Sequence, residues 1–245
     1  MLKPRSAIVL LAAIAAAALT ARLGSWQLDR AAQKIALQQA QQQQRALPPL
    51  PQARLARDAA DLPAQLHRSV QLQGRWLAVN TVFLENRQMK GQPGFYVVTP
   101  LQLDDGTAVL VQRGWVPRDL LDRTRVAAPP PPEGVVAVLG RIAPAPARLY
   151  EFDHAASGSI RQNLDVVSFA RETGLPLRPL AVVQEDGVSA SSPRDGLLRQ
   201  WPQTASGVEK HYGYAFQWFA LCALVIGLYV WFQLIQPTRR RRHGA

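Results

Sequence analysis

The stretch FYVVTPLQLDDGTAVLVQRGWV, residues 95–116, decides the fold class of the central part of this chain. Two runs rich in Val, Leu and aromatic residues flank Asp104-Asp105-Gly106, an order of residues that is typical of the turn in a β-hairpin. We therefore predict that Phe95–Leu103 and Val109–Val116 pair as antiparallel strands. Turn chemistry alone accounts for the Asp doublet.

Further short strands are predicted on both sides of this hairpin, separated by Gly, Asn and Pro. Four prolines, Pro129–Pro132, are expected to form a stiff surface connection. A short helix is expected to begin after Asp165 and to end at Gly174. The remaining strand candidates are Val70–Leu72, Thr81–Glu85, Val135–Ile142, Arg161–Leu164 and Leu180–Gln184. Many short strands with one or two helices indicate a compact antiparallel barrel or sandwich.

Two apolar segments enclose this β-rich region. Residues 212–238 carry no charge and are long enough to cross a bilayer, and the basic run Arg239–Arg242 follows them. Residues 6–21 are also uncharged but short for a span, and Lys3 and Arg5 precede them. Trp26 lets this first helix continue through the membrane interface, which favours a retained span. Cleavage of a signal peptide near Ala21 is the alternative.

These patterns predict a membrane α+β protein, in which two transmembrane helices flank one periplasmic antiparallel β-rich domain, barrel-like or sandwich-like. The predicted boundaries are 1–28 for the first transmembrane helix, 29–66 for a juxtamembrane helix and Pro-rich linker, 67–210 for the domain, 211–238 for the second transmembrane helix and 239–245 for a basic tail. Because flanking Lys and Arg favour the cytoplasmic side, we expect both termini in the cytoplasm and the protein in the inner membrane of the cell.

The formal net charge of +11 does not indicate a nucleic-acid partner. The excess lies at the two ends of the chain, where basic residues attract anionic membrane lipid and no acidic residue is interspersed. The single cysteine, Cys222, excludes an internal disulfide and a paired-cysteine metal site. Within an apolar helix we expect it to be a packing residue.

No catalytic signature is present: the sequence has no GxSxG, HExxH, GxGxxG or phosphate-binding loop, and its four histidines are far apart. Glu85 lies on a predicted strand, and Glu151 and Asp153 flank His154 in a segment without clear periodicity. Neither pattern indicates paired acid and base groups. We therefore predict no catalytic residue and a protein that is not an enzyme.

His211 stands out by its position at the start of the second span. Tyr214, Ala215 and Trp218 follow at spacings that share one face of a helix. An imidazole at this depth can bind haem iron. The alternative is a polar cap on an interfacial belt of aromatic residues.

Six segments carry a family resemblance. They are LGSWQLDR (residues 23–30), Gly74-Arg75-Trp76, Glu85-Asn86-Arg87, GFYVVTPL (94–101), VQRGWVP (111–117) and HYGYAFQW (211–218). In this order on a two-span frame, they resemble the landmarks of the surfeit-locus family of cytochrome c oxidase assembly factors, in a bacterial form. The resemblance fades between residues 143 and 200.

The resemblance implies a membrane assembly factor that acts when the oxidase catalytic subunit receives haem A. It implies transient binding of haem A with His211 as the iron ligand, and as partners the cytochrome c oxidase catalytic subunit, haem A synthase and membrane lipid. Tyr214 and Trp218 are then expected to pack the macrocycle, and Arg30 and Arg113 to bind the propionates. Two alternatives are an interaction chaperone of an early oxidase subunit that binds no haem, and a hydrolase or haem-modifying enzyme.

Overall fold

The structure is a computed structural model that describes residues 4–119, 121–122, 125–144, 158–186, 195–201 and 207–236. The helices are α1 (Pro4–Ala46), α2 (Val166–Thr173) and α3 (Val208–Tyr229), and a π-helical segment, Val230–Ile235, continues α3. The strands are β1 (Ser69–Trp76), β2 (Val82–Met89), β3 (Gln92–Leu103), β4 (Ala108–Pro117), β5 (Val135–Ala143), β6 (Ile160–Arg161) and β7 (Leu177–Gln184).

The predicted hairpin is confirmed as β3 and β4, which pair antiparallel from Gly94 opposite Pro117 to Gln102 opposite Ala108. The turn between them is closed by the backbone N–H of Leu103, which donates to the carbonyl of Thr107 over 2.8 Å. Gly106 has φ of +79°, a left-handed conformation that glycine adopts without steric cost. The Asp-Asp-Gly signal therefore forms the turn that the sequence predicts.

The sheet closes into a barrel of five strands. Its order runs β1, β5, β7, β4, β3, and β3 pairs back with β1, while β2 and β6 extend the sheet beyond β3. The 12-residue β3 makes this closure possible, because its first half pairs with β2 and its last residues pair with β1. Gly74 lies at the closing contact, where an added Cβ would stand 2.2 Å from the carbonyl oxygen of Gln102. The barrel form of the prediction is thus the one that is found.

Two strand pairings are parallel, in a sheet that is otherwise antiparallel as predicted: β4 with β7, and β2 with β6. Helix α2 connects β6 to β7. This connection brings the chain back across the sheet, so that β7 runs parallel to β4. The strand predicted at Arg161–Leu164 is limited to Ile160–Arg161. The chain leaves the sheet there, because Leu164 is buried in the cluster that packs against α2.

Strand β4 is buried on both of its faces. Val109 and Val111 belong to the cluster inside the barrel, whereas Leu110 between them packs in a second cluster with Phe169 of α2. A strand that is covered on both faces reads as a continuous apolar run, which explains the uninterrupted sequence AVLV in this strand. Helix α2 itself is confirmed with its predicted ends, since the Asp165 carboxylate accepts the N–H of Ser168 and Gly174 is left-handed.

An ion cluster ties the β3–β4 turn to the rest of the barrel. Arg178 is 3% exposed and donates to Asp105 over 2.6 Å, to the Thr107 hydroxyl over 3.0 Å and to the carbonyl of Leu55 over 2.9 Å. Arg57 reaches the same Asp105 carboxylate from the surface over 2.9 Å. Hydrogen bonds from Thr107, followed by the charge of Arg178, lower the pKa of Asp105 from 3.8 to about 2.

This cluster predicts a stability profile in acid. Because the pKa of Asp105 is lower in the folded protein, the stability that it contributes is complete above about pH 4 and is lost as the pH falls towards 2. We expect Asp105→Asn to be less stable than wild type at pH 6, with a gap that narrows at pH 3. Urea unfolding of the full chain in detergent at both pH values measures this gap. Asp104→Asn is the control, and a gap of equal size at both pH values contradicts the prediction.

The two long helices are both apolar and long enough to cross a membrane, within Ser6–Ala46 and Val208–Ile235. Their large apolar side chains, among them Ile8, Leu19 and Phe216, are exposed in the protein itself, as expected for surfaces that face lipid. These two candidate spans make the chain a membrane protein. The predicted helical register beyond Arg30 is also confirmed, since α1 continues to Ala46 before Pro48.

The chain divides into two compact units. One lies within residues 1–40 and 204–245 and contains the two apolar helices. The other lies within residues 41–203 and contains the barrel.

Candidate functional site

The helical unit brings together one residue from each of its two family-like segments. The His211 ring nitrogen Nδ1 lies 2.7 Å from Oε1 of Gln27. An amide oxygen only accepts hydrogen bonds, so Nδ1 carries the proton and donates it to Gln27. The contact therefore selects the tautomer of His211 in which Nε2 has a free lone pair. Among the described residues, Nε2 has no hydrogen-bond partner.

Residues of α1 and α3 make two further contacts on the membrane side of Gln27 and His211. Gly24 packs against the ring of Phe219, and a Cβ added to Gly24 would lie 2.8 Å from that ring. Further along, Cys222 donates its S–H to the carbonyl of Ala17 over 3.4 Å. Cys222 thus has the packing role expected from its apolar surroundings. The Leu-Gly-Ser-Trp-Gln segment supplies the contact with Phe219 through Gly24 and the hydrogen bond with His211 through Gln27.

The predicted aromatic face of α3 forms on a continuous helix, but its members differ in exposure. Ala215 is 2% exposed, His211 and Trp218 are partly buried, and Tyr214 is 52% exposed. Ala215 thus lies in the packed part of the helix surface, while Tyr214 is open to ligand or lipid. The four residues follow one another along the helix as the spacing predicts.

Arg30 lies on the exposed side of α1, three residues after Gln27. Its guanidinium lies 5.7 Å from the centre of the Trp26 ring and donates to Gln33 over 3.1 Å. Both contacts leave most of its donors open to solvent. Arg30 is therefore placed in the same unit as His211, with its charge uncommitted to any carboxylate among the described residues.

Arg113 lies in the barrel unit, and its surroundings differ from those expected of an arginine on a surface strand. Val97 of β3 pairs with Gly114 of β4, and the next residue, Val98, pairs with Gln112. Arg113 lies between these two pairs and is therefore the extra residue of a β-bulge. Its side chain is 1% exposed. Because β4 is buried on both of its faces, the side chain of this bulged residue is buried as well.

The Arg113 guanidinium is held loosely by its neighbours. It lies 5.3 Å from the centre of the Trp76 ring, and its Nη2 lies 3.7 Å from Oδ2 of Asp195, beyond hydrogen-bond range. Neither Nη1 nor Nη2 has a hydrogen-bond partner among the described residues. Burial lowers the pKa of Arg113, Asp195 opposes that shift, and the neighbouring Arg199 adds to it. Sequence reasoning did not identify Trp76 and Asp195 as its neighbours, because they are distant along the chain.

No group of three or more His, Cys, Asp or Glu side chains with the geometry of a metal site occurs within the part of the chain that the structure describes. Glu151, Asp153 and His154 lie outside the described residues. Glu85 lies on β2 as predicted, in the sequence before the bulge that places Asn86 at φ of +58°.

Two candidate membrane-spanning helices together with a closed β-barrel define this chain as a membrane protein with a barrel domain. The chain belongs to the SURF1 family, whose model matches residues 14–223. It is similar to a SURF1-like protein of Rickettsia bellii, with 25% identity over 210 residues that cover 84% of this chain and 83% of the relative. A SURF1-like protein of Dictyostelium discoideum is 44% identical over 55 residues, 22% of this chain and 20% of that protein.

Proposed function

We propose that this protein is a membrane assembly factor for cytochrome c oxidase, and that it aids the insertion of haem A into the catalytic subunit or stabilises that subunit. The observation that carries the proposal is the Gln27–His211 contact, which joins two segments that resemble the family's membrane-proximal landmarks, both within the range matched by the family model. The proposed protein partners are the catalytic subunit of the oxidase and haem A synthase. The proposed lipid partner is the membrane around the two helices.

The residues around His211 fit a haem cargo. A hydrogen bond from Nδ1 to an acceptor fixes the ring orientation of an iron-binding histidine and makes Nε2 a better ligand. Tyr214 and Trp218 supply aromatic surface one and two turns along the same helix, where a macrocycle can pack. Arg30, whose guanidinium is open, is the proposed partner of a propionate at this site. For Arg113, which belongs to the barrel unit, propionate binding is proposed separately from His211.

The proposed activity is transfer of a cargo and not conversion of a substrate. His211 would hold the haem iron through its imidazole, and the protein would add an aromatic surface and a cation for the carboxylates. One imidazole holds haem less firmly than two, and such a site would suit a protein that releases its cargo.

Loss of the gene is expected to lower the amount of assembled a-type oxidase. Reduced-minus-oxidised spectra of membranes from a deletion strain measure this, since only haem A in the assembled enzyme gives the full a-type band. Re-expression of the wild-type chain should restore the band. An a-type band and oxidase activity at wild-type levels, in a strain with no second family member, would overturn the proposed function.

We further propose that the barrel faces the periplasm and that both termini lie in the cytoplasm, because basic residues flank both apolar helices at their outer ends. A reporter that is active only in the periplasm should be active when fused after Pro132 and silent when fused after Ala245. A cytoplasm-active reporter should give the reverse result at each site. Activity of the periplasmic reporter after Ala245 would show that this orientation is wrong.

A further inference from the structure

The strongest unexplained feature of the barrel is the buried guanidinium of Arg113. Its side chain is 1% exposed, and both terminal nitrogens lack a hydrogen-bond partner among the described residues. A buried charge is stable in a protein when other groups satisfy its donors. Arg178 and Arg161, also buried in the barrel unit, each have hydrogen-bonded terminal nitrogens. Arg113 differs from these two arginines in that respect.

The carboxylate nearest to Arg113 is occupied by other groups. Asp195 accepts a hydrogen bond of 2.5 Å from Arg199 and one of 3.2 Å from the backbone N–H of Leu197, while Arg113 remains 3.7 Å away. Arg199 in turn also pairs with Asp186 over 3.0 Å. The carboxylate of Asp195 is thus committed mainly to Arg199. The donors of Arg113 remain available for an additional acceptor.

Two cavities adjoin Arg113. One has a volume of about 320 Å³ and is walled by Trp76, Pro132 and the β5 residues Val136–Val138, with Gln184 at its polar side. The other, of about 250 Å³, lies between Phe83 and the prolines 129–131. The buried Oε1 of Gln184 also has no partner among the described residues. The first cavity therefore combines apolar walls with unsatisfied polar groups from two strands, as small-molecule sites do.

We propose that the cavity formed by Arg113, Trp76 and Gln184 binds a carboxylate carried on a short apolar arm. The planar guanidinium fork matches a carboxylate in size and charge and forms two parallel hydrogen bonds with it. Gln184 adds an amide that presents a donor to the same carboxylate once its side chain is rotated. The apolar arm packs on the Trp76 ring and the valine wall.

The size of the cavity limits the ligand. About 320 Å³ holds an acid of a few carbon atoms and excludes a whole macrocycle. A single negative charge is favoured over a doubly charged phosphate because Asp195 borders the same space. Two sources share this chemistry: a free short-chain carboxylic acid, and the propionate arm of a porphyrin that stays outside the cavity. The second source rests on the proposed haem function.

Calorimetric titration of the full chain in detergent with sodium butyrate tests the cavity itself. We expect saturable binding of butyrate and none of butyramide, its neutral isostere. Arg113→Met should weaken butyrate binding by about tenfold or more, the size expected for loss of charge-assisted hydrogen bonds. Ala137→Trp, at an exposed position of the cavity wall, should block binding while leaving Arg113 intact. Arg75→Met, which removes an exposed arginine beside Trp76, is the matched control and should bind as wild type.

A second titration separates the two sources. Metal-free protoporphyrin IX and its dimethyl ester are compared by fluorescence, since neither depends on iron binding by His211. Binding of the free acid but not of the ester, with competition by butyrate, supports the propionate source. Butyrate binding without porphyrin competition supports the free-acid source, and His211→Ala should alter neither result. No butyrate binding, or binding that Arg113→Met and Ala137→Trp both leave unchanged, overturns the proposal.

Discussion

Replacement of His211 by alanine is expected to remove or shift the Soret band of haem A bound to the purified protein. The imidazole is the proposed iron ligand, and alanine offers no atom that binds iron. The level of protein in the membrane should stay unchanged, because a partly buried polar residue at the start of so apolar a helix contributes little to its insertion. Purification from cells that make haem A, followed by absorption spectra at equal protein concentration, measures both quantities.

Two further variants separate iron binding from general packing. Gln27→Leu removes the acceptor for Nδ1 and keeps the ligand, and loss of such a partner typically weakens metal affinity by about 10- to 100-fold. Tyr214→Phe keeps the aromatic surface and should change the spectrum much less. A His211→Ala protein with wild-type spectrum and haem affinity would show that His211 is a helix-end residue and not the iron ligand. It would favour the alternative function, an interaction chaperone that binds no haem.

Replacement of Trp115 by alanine is expected to destabilise the barrel by about 3–5 kcal/mol, the usual cost of deleting a large buried aromatic side chain. Trp115 is 1% exposed, and its ring N–H donates to the carbonyl of Arg87 over 2.8 Å. The ring also lies against Gly94, where an added Cβ would be 2.4 Å from it. Trp115 and Gly94, which come from two different family-like segments, thus meet at one packed contact between β3 and β4.

Urea unfolding of the full chain in detergent, followed by the fluorescence of the remaining tryptophans, measures this loss. Trp115→Phe is the graded control, because it keeps most of the apolar volume and leaves the carbonyl of Arg87 without its donor. That variant should lose about 1–3 kcal/mol. Equal stability of Trp115→Ala and wild type would mean that the contact is not part of the folded core.

Local signals in the sequence predicted the elements well. The Asp-Asp-Gly turn, the cap at Asp165 and the left-handed Gly174 each depend on residues within one or two turns of chain, and each forms as predicted. The second apolar helix was equally clear, since its uncharged length matches a bilayer, whereas the uncharged part of the first was short for a span. Chemistry that acts over a few residues can be read from one sequence.

Long-range features could not be predicted in the same way. Closure of the barrel depends on the pairing of β1 with the last residues of β3. No residue pattern in either strand indicates which strand it pairs with. The burial of Arg113 depends on the elements that cover both faces of β4, and its bulge is seen only in the pairing with β3. The partnership of Gln27 with His211 joins residues 184 positions apart. Their segments were recognised separately, but only the fold shows that they touch.

The position of β7 in the barrel determines when the domain can fold during synthesis. β7 is the last barrel strand in the chain, yet it lies between β5 and β4 in the closed sheet. Until residue 184 has emerged, strands β4 and β5 therefore each present an open edge, and such edges favour pairing with other chains. Non-local pairing of this kind is also slow to form. Because α3 begins at Val208, soon after β7, barrel closure and membrane entry of the second helix follow within a short interval of translation.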